Sequence, residues 1–244
     1  MKTKVYELVV KVYTMKTMNV DDSHNSIAKL IDKTLCKEEE YEKLHLSNSF
    51  KYYNFSNLYL PEGCKFNGDY HFKEGNIYDF KFRTVDEKLA KYIELNMLNE
   101  YTSYLKVLTI AKRVIPFRHI ESVRSITPTV VKFSNRDIKS DKRYWRGNKS
   151  MSVIEDRVKT NLIKKYNSYF GVRLKEDASV FNTIVLKNKV PLVAKYKNKT
   201  ILGDKFEMDA ANDSLSQELL YFALGVGLGE MNARGFGFLG YTYL

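Results

Sequence analysis

The sequence predicts an α+β protein made of two βαββαβ units in tandem. Two observations lead to that class. Runs with strand character and runs with a helical apolar stripe follow one another in the order β-α-β-β-α-β, and that order occurs twice. The 244 residues, 44% of them hydrophobic, suffice for two units of ~120 residues, each burying roughly 60–70% of its unfolded surface without covalent staples.

In the first unit, residues 5–12 are β-branched and partly alternating, which suits a strand largely buried in a sheet. A helix follows, with Asp22 or Ser23 as its cap and Ile27, Leu30, Ile31 and Leu35 on one face. Residues 38–42 read as an acidic turn. Residues 51–60 and 76–84 read as strands separated by Pro61, Gly63 and Gly68. Leu89, Tyr92, Ile93 and Met97 repeat the helical stripe, and residues 105–115 close the unit as a strand.

The second unit opens with a strand over residues 126–133. Ser150 or Ser152 caps a long helix reaching Tyr169; Ser152 and Glu155 have the spacing of a capping box, and Gly171 stands where a helix-ending glycine belongs. Residues 180–186 and 193–208 supply strands or a strand pair, residues 215–224 a second helix and residues 236–244 the last strand. The two units are therefore expected to be tandem ferredoxin-like (RRM-like) domains, 1–117 and 118–244, divided near residues 116–122. The exposed sheet face of this fold often serves RNA recognition.

Charge points the same way. The net charge is +11, from 40 basic and 29 acidic residues. Residues 1–117 hold 18 Lys/Arg against 16 Asp/Glu, whereas residues 118–244 hold 22 against 13. A field concentrated in one half raises the local concentration of a polyanion, and nucleic acid is the commonest one a cytoplasmic protein meets. Two cysteines, Cys36 and Cys64, are too few for a disulfide framework. No secretory pattern opens the chain and no apolar run approaches the ~20 residues that span a bilayer. The expectation is a cytoplasmic protein with no membrane partner.

The most distinctive stretch is residues 225–240, which hold six of the twelve glycines. Glycine admits positive φ and carries no Cβ, so consecutive amides can turn toward a phosphate. The competing reading is a tight turn between helix and strand. Gly235, Gly237 and Gly240 match the dinucleotide-binding spacing, but that motif needs strand, loop and then helix, and only four residues follow Gly240. The order here is helix, loop, strand.

With its two small glycine clusters around a polar turn and its short final strand, residues 225–240 resemble the C-terminal hallmark of the CRISPR repeat-cutting endoribonucleases, the sixth CRISPR-associated family of the RAMP superfamily. Residues 44–56 are similar to that family's segment in which a histidine, His45, precedes by six residues a lysine, Lys51, that enters a strand ending in an aromatic-Ser pair, Phe55-Ser56. Thr127-Pro128-Thr129-Val130-Val131 is also similar. The resemblance covers nearly the whole chain and implies the tandem ferredoxin-like fold. It implies as partners CRISPR repeat RNA, both precursor and mature guide, and other subunits of a CRISPR effector complex, with the chain a monomer or homodimer. Members often set a tyrosine on the first helix opposite the histidine. Here that helix reads Ser26-Ile27-Ala28-Lys29-Leu30-Ile31-Asp32, and Lys29, Tyr52 and Tyr53 are the candidates for the missing hydrogen bond.

Cutting RNA without a metal needs a 2′-OH in line with the phosphorus, a base, an acid and a cation for the phosphorane. Histidine suits the proton transfers and the compact lysine ammonium suits the phosphorane oxygens. His45 and Lys51 are the expected catalytic pair. No cofactor is expected, and the four histidines and two cysteines show no metal-ligand spacing. His24, His71 and His119 read as structural or surface residues. The expected RNA contacts are Gly225, Gly227, Gly229, Arg234, Gly235 and Gly237 of the loop. To these the basic run adds Lys142, Arg143, Trp145, Arg146 and Lys149, and the helix after it Arg157, with Lys164 and Lys165 extending the track. Residues 187–199, where basic residues alternate with Val and Leu, read as an exposed strand edge that also touches RNA. The leading reading is a repeat-specific endoribonuclease; the alternatives are a non-catalytic repeat-RNA-binding subunit and an unrelated RNA-binding module.

Overall fold

A computed structural model describes residues 3–60, 70–134, 136–138, 144–176, 178–196 and 199–244, with the backbone alone for His45, Tyr196 and Lys199. Pro61, Gly63, Cys64, Gly68, Lys142 and Arg143 lie outside the described residues.

The first unit runs β1 (Val5–Thr14), α1 (Val20–Leu35), α2 (Glu39–Leu46), β2 (Tyr53–Phe55), β3 (Ile77–Thr84), α3 (Glu87–Asn96) and β4 (Leu105–Ile115). Its sheet has the order β2-β3-β1-β4, every neighbour antiparallel, which is the ferredoxin-like arrangement. Tyr6, Leu8, Val10 and Val12 alternate along β1 to meet Ile27, Leu30 and Ile31 of α1 and Leu89 and Ile93 of α3 in one core. The opposite face carries Glu7, Arg83 and Arg113, paired across the three strands.

The second unit runs β5 (Ile120–Ser125), α4 (Met151–Phe170), β6 (Phe181–Leu186), a hairpin of β7 (Leu192–Tyr196) and β8 (Lys199–Gly203), then β9 (Phe206–Ala210), α5 (Ser214–Val226) and β10 (Leu239–Tyr243). Its sheet order, β10-β5-β9-β6, repeats the first topology with the hairpin inserted between the second and third strands. The fold class is the one the sequence implied: tandem ferredoxin-like units.

Several element readings are corrected. Asn19 caps α1, its Oδ1 accepting from the Asp22 amide at 2.8 Å, so the helix starts before Asp22 and Ser23. The acidic 38–42 segment is no turn: it starts α2, where Glu39, Glu40 and Glu42 sit favourably in the first turn. The first strand of the second unit is β5. Residues 126–133 make only isolated bridges at Thr129 and Val130, because Ile126 and Pro128 bond instead to the glycine loop through Phe238 O and the Gly237 amide. Ser150 precedes α4 with no side-chain cap bond, its Oγ lying 2.8 Å from that of Ser152, and the capping box does not form. Gly171 does end α4 in the left-handed region, at φ 66°.

α5 is buried on all sides from Leu219 to Val226, which an ordinary surface helix is not. It packs on β1 and β3 of the first unit as well as on β5, β9 and β10. Tyr221 Oη accepts from the Val5 amide and donates to Ile115 O. Val5, Val85 and Ile115 thereby join the second unit's core.

Candidate functional site

The glycine loop leaves α5 at Gly227, runs through a short 3-10 turn at Asn232–Arg234 and enters β10. Its glycines answer to the protein's own packing. A Cβ at Gly237 would lie 1.9 Å from Leu228 O, and one at Gly235 2.5 Å from His24 Cε1 and 2.6 Å from Phe55. Both residues also hold positive φ, 71° and 80°. Gly227 and Gly229 are closed off in the same way by Asn232 and by Val130 O, while Gly225 lies inside α5 against Val85. All five are buried. The sequence argument that their missing Cβ atoms clear room for phosphate is therefore corrected: that room is filled by protein. The part of the loop that reaches the surface is its polar turn, residues 230–234, apart from buried Asn232.

Five side chains fix that turn. Lys165 of α4, 3% exposed, donates to Gly227 O at 3.0 Å, Gly229 O at 2.6 Å and Asn232 Oδ1 at 2.6 Å. Burial pulls its pKa down to about 7, against the opposing pull of Glu230. Three oxygen acceptors nevertheless use all three protons of an ammonium, which only the charged form supplies. Asn232 Nδ2 donates to Leu228 O and Phe236 O. His24 of α1 donates from Nε2 to Arg234 O at 2.5 Å, and the Arg234 guanidinium bonds both oxygens of Asp32 at 2.7 and 3.0 Å.

A cleft of about 170 Å³ opens beside this turn, walled by Ser49, Phe50 and Lys51 from the first unit and by Asn161, Lys165 and residues 229–233 from the second. Lys51 Nζ donates to Leu44 O, and to Ser47 O and Ser47 Oγ at 2.7 Å each, so its ammonium sits over the C-terminal turn of α2. Burial and the nearby Arg234 lower its pKa. His45 lies on that same turn, between the two carbonyls that Lys51 binds; its side chain is outside the described residues. On α1, Ala28 stands one turn from both His24 and Asp32, and no tyrosine occupies that face. Of the stand-ins, Lys29 is exposed on α1, Tyr52 donates to Ser168 Oγ, and Tyr53 is buried against Phe82.

The basic run is divided. Trp145 is a correction: it is 8% exposed in the second core, its indole N–H donating to Asp204 Oδ2 at 2.6 Å, and presents no open face for a base. Arg146 is half-buried on the same carboxylate, at 2.5 Å, and on Asn188 O and Lys189 O. Lys149 is half-buried, whereas Arg157 and Lys164 are exposed, Arg157 lying over the Phe133 ring. Lys165 is not part of a surface track. The sequence did carry its signal: it continues the apolar stripe Ile154, Val158, Leu162, where a lysine needs an internal partner. His24 carried no such signal, since its partners lie 33 and 210 residues away.

Among the described residues no helix is long and apolar enough to cross a membrane, and no three His, Cys, Asp or Glu side chains are grouped to hold a metal ion.

Tandem ferredoxin-like units with a C-terminal glycine loop are the fold of a RAMP-type protein. The solved structures share that fold. One of a CRISPR-associated Cas6 protein superimposes with a TM-score of 0.71 at 17% identity, covering 98% of this chain and 99% of that one. A RAMP protein described as binding different RNA substrates gives 0.73 at 16%, covering 97% and 99%. A Cas6-related protein of Pyrococcus furiosus gives 0.68 at 16%, covering 98% of both. No curated protein sequence matches. Residues 110–241 match the sequence family described as CRISPR-associated protein Cas6, C-terminal. The chain belongs to the Cas6 family of CRISPR-associated proteins, a family of CRISPR repeat-RNA binding and processing.

Proposed function

We propose that this chain is an endoribonuclease that cuts precursor CRISPR RNA within its repeats without a metal ion and releases guide RNA. The observation that carries the reading is a cleft at the seam of the two units, walled by Lys51 and its neighbours on one side and by the polar turn of the glycine loop on the other. Lys51 lines it, and Arg234 is near enough to depress the lysine's pKa. His45 belongs to the α2 turn that Lys51 caps.

In the proposed reaction the 2′-oxygen attacks the adjacent phosphorus and the P–O5′ bond breaks, leaving a 2′,3′-cyclic phosphate and a 5′-OH. His45 transfers protons, taking one from the 2′-OH or delivering one to O5′. Lys51 offsets the charge that accumulates on the phosphorane oxygens. Cations held before substrate arrives need little rearrangement at the moment of reaction.

The test is incubation of purified protein with end-labelled repeat RNA in EDTA. Cleavage at one site is expected, ending in a cyclic phosphate, and none when hydrogen replaces the 2′-OH at that site. Tight binding with no cleavage would assign the chain to the non-catalytic, repeat-binding members. Cleavage that EDTA abolishes would reject the mechanism.

A further inference from the structure

A second cleft, larger than the Lys51 cleft at about 340 Å³, lies between the two units. Tyr59 of the first unit and Ile126 and Pro128 of the second give it apolar walls, backed by the buried rings of Phe72 and Phe236. Lys205, between β8 and β9, also lines it. Lys205 is only partly exposed, and among the described residues its ammonium has no hydrogen-bond or ion-pair partner. Burial alone accounts for its depressed pKa, with no charged neighbour contributing. A half-buried cation without a counter-ion is costly, and the cost is relieved by an anion from outside. Asp21 stands in the wall on the first turn of α1, beside Asn57 and the buried His24.

The chemistry of the cleft selects its occupant. Apolar walls with one unneutralised ammonium suit a flat ring that carries a negative charge nearby. The volume is at the low end of the roughly 300–1,000 Å³ typical of ligand clefts, enough for one nucleotide and too small for a duplex. Asp21 would repel a phosphate but can accept from the exocyclic amino group of a base, so it favours the base end of the ligand over the phosphate end. Position adds a constraint. Ala233 lines the Lys51 cleft and Phe236 lines this one, three residues apart and therefore within ~11 Å along the chain.

We propose that this cleft receives a single unpaired nucleotide of the bound RNA, its base between Tyr59 and the Ile126–Pro128 wall and its phosphate on Lys205, within a few nucleotides of the scissile phosphate. It thereby reads one base next to the cut. The inference rests on the RNA-binding half of the function proposed above, and on none of its chemistry.

The test is equilibrium binding, which does not depend on cleavage. Repeat RNA with hydrogen in place of the scissile 2′-OH is prepared with a base removed at each position in turn. With wild-type protein, one position near the cut is expected to weaken Kd by about tenfold or more, the scale of one base stack. Ala194, on the β7 wall, is replaced by a filling side chain in Ala194→Phe. In that variant the intact RNA should bind as weakly as the base-deleted RNA, and deleting the base should cost nothing further. Lys205→Gln should weaken binding of every sequence and reduce the slope of log K against log salt by about one. Folding of each variant is checked by its thermal transition. If the protein binds RNA but no single position is sensitive, or if Ala194→Phe keeps the wild-type sensitivity, the proposal is overturned. Failure to cut RNA, with the binding pattern intact, would count only against the nuclease reading.

Discussion

At the scale of single residues, His45 and Lys51 are distinct in what their loss should do. Positioned acid-base catalysis is worth roughly 10² to 10⁴, so His45→Ala should lower single-turnover cleavage by at least ~10² while repeat binding stays within a few-fold. Wild-type rates in that variant would move the proton transfer to another group. Lys51→Ala removes a cation and also the ammonium that caps α2 through Leu44 and Ser47, so it should slow cleavage and loosen the turn carrying His45. His24 is a different case. Its Nε2 donates to a carbonyl, and its Nδ1 lies 2.6 Å from the Asn57 side-chain oxygen. Two acceptors would demand an imidazolium, yet burial lowers the pKa of this ring. Turning the Asn57 amide over lets its NH₂ donate to Nδ1 and keeps the ring neutral. A folded pKa below the unfolded value of about 6.5 means that the unfolded chain binds the extra proton first. The contribution is therefore complete above pH ~6.5 and is lost as pH falls through the folded pKa. The melting temperature should drop between pH 6.5 and 5, and the drop should shrink in His24→Gln. An equal pH slope in both proteins would show that His24 does not titrate with unfolding.

At the scale of elements, the glycine loop is a folded part whose shape depends on α4. Lys165 holds two of its carbonyls and Asn232, so Lys165→Met, which keeps the length and removes the charge, should leave those oxygens buried and unpaired. Such loss costs about 1–3 kcal/mol per group. Cleavage should fall at saturating RNA more than affinity does, because the displaced turn carries Arg234 beside Lys51. A variant with wild-type rate and stability would show that the loop keeps its shape unaided. Val at Gly235 or Gly237 tests packing rather than RNA contact, since the side chain would strike His24 and Phe55, or Leu228 O. How much of this was legible follows from the range of the forces. Helical stripes and alternating strands are local patterns, and α1, α3, α5 and β4 are where the sequence put them, to within a few residues. β5 was missed because Ile120–Ser125 carries Glu121 and Arg124 on its outer face and has a weaker apolar pattern than residues 126–133, whose partners are in the glycine loop. The glycines and Trp145 were legible as unusual residues, but the neighbours that explain them, Asn54, His24, Val130 and Asp204, are far away in sequence.

At the scale of the whole molecule, the two units share more than a tether. α5 is buried on every side only because β1 and β3 of the first unit cover the face that its own sheet leaves open. A second seam runs through charge. Glu7 is fully buried, and although burial raises a carboxyl pKa, Arg83, Lys81 and Arg113 together hold it low. Arg83 also donates to Leu239 O of β10 at 2.6 Å and lies over the Phe238 ring. Removing the first unit would expose the apolar side of α5 to water and leave the Leu239 carbonyl without this donor, a loss of the kind that single domains joined by a polar interface do not suffer. The basic second unit, which holds most of the net charge, should therefore not fold alone as residues 118–244. The whole chain should melt in one transition, with a calorimetric enthalpy equal to the van't Hoff value. Two resolved transitions, or a soluble 118–244 fragment with native near-UV dichroism, would show that the units are energetically separate.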